Sequence, residues 1–207
     1  MRAEHAETLD RVTSLLGQGG CVPVYTGSLA TLLTVLSPRV LIDARMRKRQ
    51  IAEKQIDQAP LVIGLGPGFS AGETVHCVIE TNRGPNLGTV ITSGGAEAYT
   101  GRPIAIQGYA RERYTYAPSD GVFRTALDVG RQVRVGQVLG RVGQTELRAQ
   151  VSGIIRGLTR DGIRVSQGTK IAEVDPRGQE EHVHGIAERP RAVAQGVLEA
   201  IRRFAAA

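Results

Sequence analysis

The sequence predicts an α/β (α+β) fold: a small parallel α/β part, then a β-sandwich module, then a terminal helix. Three observations predict it. Short apolar runs alternate with helical stretches over residues 1–64, a 32-residue half-repeat fills 117–176, and an apolar stripe at helical spacing closes the chain. The expected organisation is an α/β domain over 1–116, the repeat module over 117–176, and a tail with an amphipathic helix over 177–207.

Residues 1–18 read as a helix, with Leu9, Val12, Leu15 and Leu16 at helical spacing and Gly17-Gln18-Gly19-Gly20 as its end. Cys21–Tyr25 is a short extended run. Ser28 is placed to cap a helix over Leu29–Leu36, and Ser37-Pro38 stops it. Arg39–Ala44 carries Val40-Leu41-Ile42, a buried strand ending in Asp43, and a polar helical stretch runs to Gln58. Pro60–Gly64 is a second buried strand. After Gly64-Leu65-Gly66-Pro67-Gly68-Phe69-Ser70-Ala71-Gly72, the β-branched Val75–Thr81 reads as a strand, as does Gly88–Thr92. Residues 93–116 read as a loop-rich linker. At the end, Val193, Val197, Leu198, Ile201 and Phe204 form an apolar stripe, with Pro190 in the first turn.

Composition narrows the function classes. The 207 residues are 41% hydrophobic and 22% charged, which suits a folded chain. There are 26 Gly, no Trp and only 4% aromatics, so Val, Ile, Leu and Ala must build the core. No apolar run reaches 18 residues and Met1–Glu7 is charged, so a cytoplasmic location and no membrane partner are expected. The net charge of +6 is scattered except at Arg45–Arg49, and no nucleic-acid-binding motif accompanies it. No nucleic-acid partner is expected. Cys21 and Cys77 form no disulfide framework or CxxC site; both are expected as small core hydrophobes, with no metal.

Chemistry concentrates in residues 43–84. The glycine-rich loop follows a buried strand, where Gly64, Gly66, Gly68 and Gly72 let a ligand approach the backbone and amides form an anion nest. It is neither GxGxxG nor a Walker A motif, and a tight structural turn explains it equally well. Asp43 and Lys48 flank the position where open α/β sheets bind ligands, and Arg83 can clamp a phosphate or carboxylate. His76 and Glu80 are candidate acid–base residues. On a helix they would lie one turn apart; on the favoured strand they share a face about 13 Å apart, too far for one metal.

A shift of 32 residues carries Ala117, Gly121, Arg124, Gly130, Val133, Gly136 and Val142 onto Ala149, Gly153, Arg156, Gly162, Val165, Gly168 and Val174. Glycines at equal offsets imply equal backbone turns, so two similar four-strand halves should pack as a pseudo-symmetric sandwich. Ala117-Pro118-Ser119-Asp120-Gly121 and Gly130 through Leu139 resemble the biotinyl and lipoyl domains, the barrel-sandwich hybrid fold. Those domains carry their prosthetic group on a Lys in the hairpin between halves. Here that hairpin, Val142 to Arg148, has none, and Lys170 is the only Lys in the module. No covalent biotin or lipoate is therefore expected, and the module reads as an assembly or docking platform.

Three stretches, Val40 to Lys48, Ala59 to Gly84 and Asp175-Pro176-Arg177-Gly178, together with Gly196 to Ile201, resemble the selenium-dependent molybdenum hydroxylase system proteins, the YqeB-type family. The resemblance implies a small partial Rossmann-like α/β part. It also implies a role in maturing or supporting molybdenum hydroxylases of the xanthine dehydrogenase kind, handling labile selenium, the molybdenum cofactor or another phosphate-bearing ligand. Family members open with a GAGDLA-type glycine turn that this sequence lacks, so a dinucleotide site there is expected to be absent or supplied by another chain. Pro85 stands where the family has His, and Ile186–Arg191 also departs from the family pattern. Two function classes follow. One is an accessory factor that binds an anionic cofactor, a hydroxylase or its maturation proteins, with self-association compatible. The alternative is a small hydrolase or transferase using His76 and Glu80.

Overall fold

The computed structural model describes residues 2–46, 53–101 and 103–206, and these divide into two compact units, one of 1–99 with 188–207 and one of 100–187. The fold is α+β, as expected.

In the first unit, β1 (Arg2–Ala6) pairs in parallel with β2 (Cys21–Tyr25) across helix α1 (Leu9–Gln18). The helix expected over 1–18 is therefore shorter. Its first turns are a strand, because Ala6 buries completely against Val12 and Leu15 while β1 takes its hydrogen bonds from a strand 19 residues away. Thr8 caps α1 by accepting from the Arg11 amide at 3.2 Å, and Gly19 ends it at φ 68°. Helix α2 (Leu29–Leu36) begins at Ser28 as expected, with its Oγ accepting from Thr31, and closes on Ser37 in the left-handed region.

Strands β3 (Val40–Asp43), β4 (Leu61–Leu65) and β5 (Cys77–Ile79) run parallel, and β6 (Val90–Ile91) adds an antiparallel edge. All of β4 is buried, as a strand covered on both faces must be. On one face lies α3 (Glu188–Ala206): Val193, Val197, Ala200, Ile201 and Phe204 pack on Leu61, Ile63, Cys77 and Ile79. Leu198 points outward, and Gly196 takes a contact position where a Cβ would strike the Gly88 carbonyl. On the other face the glycine-rich loop itself is the cover, laying Phe69, Ala71 and Val75 over Val62 and Val78. Of the polar stretch before Gln58, residues 47–52 lie outside the described residues; a 3-10 turn spans Ile56–Gln58.

The second unit holds β7 (Tyr114–Tyr116), β8 (Gly121–Arg124), β9 (Gln132–Val133), β10 (Val138–Val142), β11 (Thr145–Arg148), β12 (Gly153–Leu158), β13 (Arg164–Val165) and β14 (Lys170–Asp175). They form two four-stranded sheets, β11-β10-β8-β13 and β7-β14-β12-β9. The 32-residue shift maps each strand of the first sheet onto its counterpart in the second, in the same order. Hydrogen bonds repeat with it: Gly130 N to Ile155 O and Gly162 N to Phe123 O are both 2.8 Å. So do the bulges, at Val138/Gly140 and Lys170/Ala172. Both sheets contribute to one core, including Phe123, Leu139, Ile155 and Ile171. Each half lends a short strand, β9 or β13, to the other half's sheet, so neither closes alone.

Candidate functional site

The carboxyl ends of β3, β4 and β5 bring Asp43, Gly64, Gly66 and the Thr81–Arg83 turn together. Asp43 pairs in register with Gly64, and the Gly66 amide donates to the Ile79 carbonyl at 2.9 Å. Gly66 has φ 80°, and a Cβ there would lie 2.5 Å from Thr81 Oγ1. A Cβ on Gly64 would strike the Phe69 ring. Packing within the chain thus accounts for both glycines. Gly68 also takes a positive φ, 97°. Pro67 has no amide, and the Ser70, Ala71 and Gly72 amides go to Thr74 Oγ1, the Gly94 carbonyl and the Val75 carbonyl. These donors are turned to the protein itself.

Asp43 is buried and bound by its own neighbour: Oδ1 accepts from the Arg45 amide at 3.1 Å and from Arg45 Nε at 2.9 Å, and Oδ2 pairs with Arg45 Nη2. Burial pushes its carboxyl up, but hydrogen bonds from Arg45 and Gln55 outweigh that and hold it below the ordinary value. Asp175 and Arg177 repeat this Asp-x-Arg clamp in the second unit, at 3.1 and 2.9 Å.

Glu80 is 2% exposed, and its carboxylate binds three amides: Thr81 and Asn82 at 2.7 Å through Oε1, and Glu97 at 2.8 Å through Oε2. It is the clamp of this turn. Asn82 Nδ2 reaches Glu97 Oε2 at 2.7 Å, and Arg189 Nε reaches the Thr81 carbonyl at 2.7 Å. Sequence reading missed Glu97 and Arg189, which lie 17 and 108 residues from the groups they bind. Arg83 tops the turn with an exposed side chain and no ion pair among the described residues.

His76 lies at the opposite, amino end of β5, with Gly72 nearby. Its Nδ1 accepts from the Val62 amide at 3.0 Å while its own amide donates to the Val62 carbonyl, so it lengthens the β4–β5 ladder by one residue. When neutral, it carries its proton on Nε2. The structure does not bring His76 and Glu80 together. Lys48 lies outside the described residues. Cys77 is buried, which pushes its thiol up; Cys21 is half-buried. Lys170 is engaged with Glu173 at 2.5 Å and lies over the Tyr114 ring at 4.1 Å. No described helix is long and apolar enough to cross a membrane.

No family model matches the chain. It is 40% identical over 186 residues to the protein named "Uncharacterized protein YqeB" of Escherichia coli K12, a match covering 90% of this chain and 34% of that protein. The chain thus spans about a third of that relative's length. Among solved structures, the ectoine utilization protein EutE (DoeB) of Ruegeria pomeroyi is 23% identical, covering 41% of this chain and 27% of that one, with a TM-score of 0.29. A succinylglutamate desuccinylase/aspartoacylase of Rhodobacter sphaeroides is 26% identical, covering 41% and 29%, also at a TM-score of 0.29. Both likenesses are partial.

Proposed function

We propose that this chain is an accessory factor for molybdenum hydroxylases of the xanthine dehydrogenase kind, holding a phosphate-bearing ligand at the carboxyl edge of β3–β5. The observation that carries the reading is Arg83: an exposed guanidinium, uncommitted among the described residues, on a turn held rigid by three charge-assisted bonds to Glu80. A phosphate there would be gripped chiefly by Arg83, because the amides of residues 66 and 70–72 already have acceptors within the chain. At this edge the molybdenum cofactor would be held by its phosphate, through Arg83. A binding role also suits His76 and Glu80, whose hydrogen bonds serve the ladder and the turn.

The test is co-expression with a hydroxylase of this kind, followed by its molybdenum content and activity per polypeptide. The wild-type chain should raise both, and Arg83→Ala should lose most of the gain. Equal molybdenum loading with and without the chain would refute the proposal.

A further inference from the structure

The two sheets of the second unit are near-copies in backbone, but their outer faces are inverted in charge at one place. In the second sheet that place is Glu173, and it is covered. Arg113, only 4% exposed, pairs with Glu173 at 3.1 Å and is anchored to the Tyr109 and Ile104 carbonyls at 3.2 Å. The 32-residue shift puts Arg141 at this place in the first sheet. Arg141 stands directly opposite Arg124 across the β8–β10 pair, an arrangement of like charges that costs stability unless something neutralises it. Arg124 has Asp161 at 3.3 Å, and Glu146, opposite Arg141 on the other side, pairs with Arg148. Arg141 has no ion pair among the described residues. It borders a groove of about 460 Å³ whose apolar floor is Leu127 and Val138 and whose lining also includes the Asp161 and Glu146 carboxylates, each already paired with an arginine.

We infer that this groove is a carboxylate-binding site for a small organic acid with an apolar body, gripped at its charged end by Arg141 with Arg124 beside it. The inversion supplies the chemistry. Where the second sheet offers a carboxylate and receives a guanidinium, the first offers a guanidinium and is matched by a carboxylate, whose two oxygens fit the guanidinium fork. The apolar floor takes the body of the acid. The site is independent of Arg83 and of the reading above.

The probe is benzoate, titrated into the full chain at low ionic strength and followed by amide and arginine Nε resonances, with uncharged benzamide as its isostere. Benzoate should bind saturably, with shifts centred on Arg124, Gly140 and Arg141, and benzamide should bind at least about tenfold more weakly, the worth of one charge-assisted pair. Arg141→Ala and Arg141→Glu, the latter installing the second sheet's charge, should each raise Kd by about tenfold or more. Arg141→Lys keeps the charge without the fork and should fall between. Arg164→Ala, on the same sheet outside the groove lining, should leave Kd unchanged. Equal binding of benzoate and benzamide, unchanged affinity in Arg141→Ala with the spectrum otherwise native, or equal loss in Arg164→Ala would each overturn the assignment.

Discussion

Replacing Glu80 by Gln keeps the size of the side chain and removes its ability to accept on both sides. In the native turn Oε1 serves the Thr81 and Asn82 amides and Oε2 serves the Glu97 amide. A glutamine oxygen can hold the first two, now without a formal charge, which weakens each by about 1 kcal/mol; its NH2 then faces the Glu97 N–H, donor to donor, and loses at least about 1 kcal/mol more. The expected total is about 3 kcal/mol, or roughly two decades in an opening equilibrium. Amide hydrogen exchange reads this residue by residue, which keeps the result separate from events in the second unit. Exchange at Thr81 and Asn82 should accelerate by about a hundredfold in the variant. Glu97→Gln is the control: its exposed carboxylate serves the Asn82 and Asn86 side chains, and exchange should change little. If Glu80→Gln left the Thr81 and Asn82 amides within about threefold of native, a difference well under 1 kcal/mol, the carboxylate would not be the clamp.

Two further outcomes follow from the second unit. Asp175 is fully buried, and hydrogen bonds from Arg177 hold its carboxyl below the ordinary value. A lowered folded pKa means the unfolded state binds the proton first, so this stability is complete above the unfolded value and is lost as pH falls through the folded one. Arg177→Ala should therefore move the acid unfolding midpoint to higher pH in a CD-monitored titration. Gly140→Ala should destabilise the module by about 3 kcal/mol in urea unfolding, since its Cβ meets a carbonyl and a ring that is itself fully buried; Gly136→Ala, with open space around it but φ 81°, should cost about 1 kcal/mol.

The candidate site was legible in part. Asp43, Gly66 and the turn that carries Arg83 do lie at one sheet edge, because parallel strands joined by crossovers all end on the same side. The role of the glycine loop was not legible. Phe69 reads as one apolar residue among glycines, and only its burial against Gly64, with Val62 and Val78 beneath the loop, makes the loop a cover for the sheet. Glu80 and His76 look like catalytic candidates in a linear reading. Their partners are main-chain amides, which every sequence contains and none advertises.

What the sequence by itself determined is the repeat. Glycine is the residue that takes positive φ without strain, so Gly130, Gly136, Gly162 and Gly168 at equal offsets dictate the same turns twice, and the paired sheets follow. Only the tertiary structure decided that Arg2–Ala6 is a strand, that Glu80 is a clamp, and that Arg141 is left facing a groove while Glu173 is covered. Each of these depends on at least one hydrogen bond or charge from a residue more than fifteen positions away, such as the Glu97 amide on Glu80, and no local pattern carries that information.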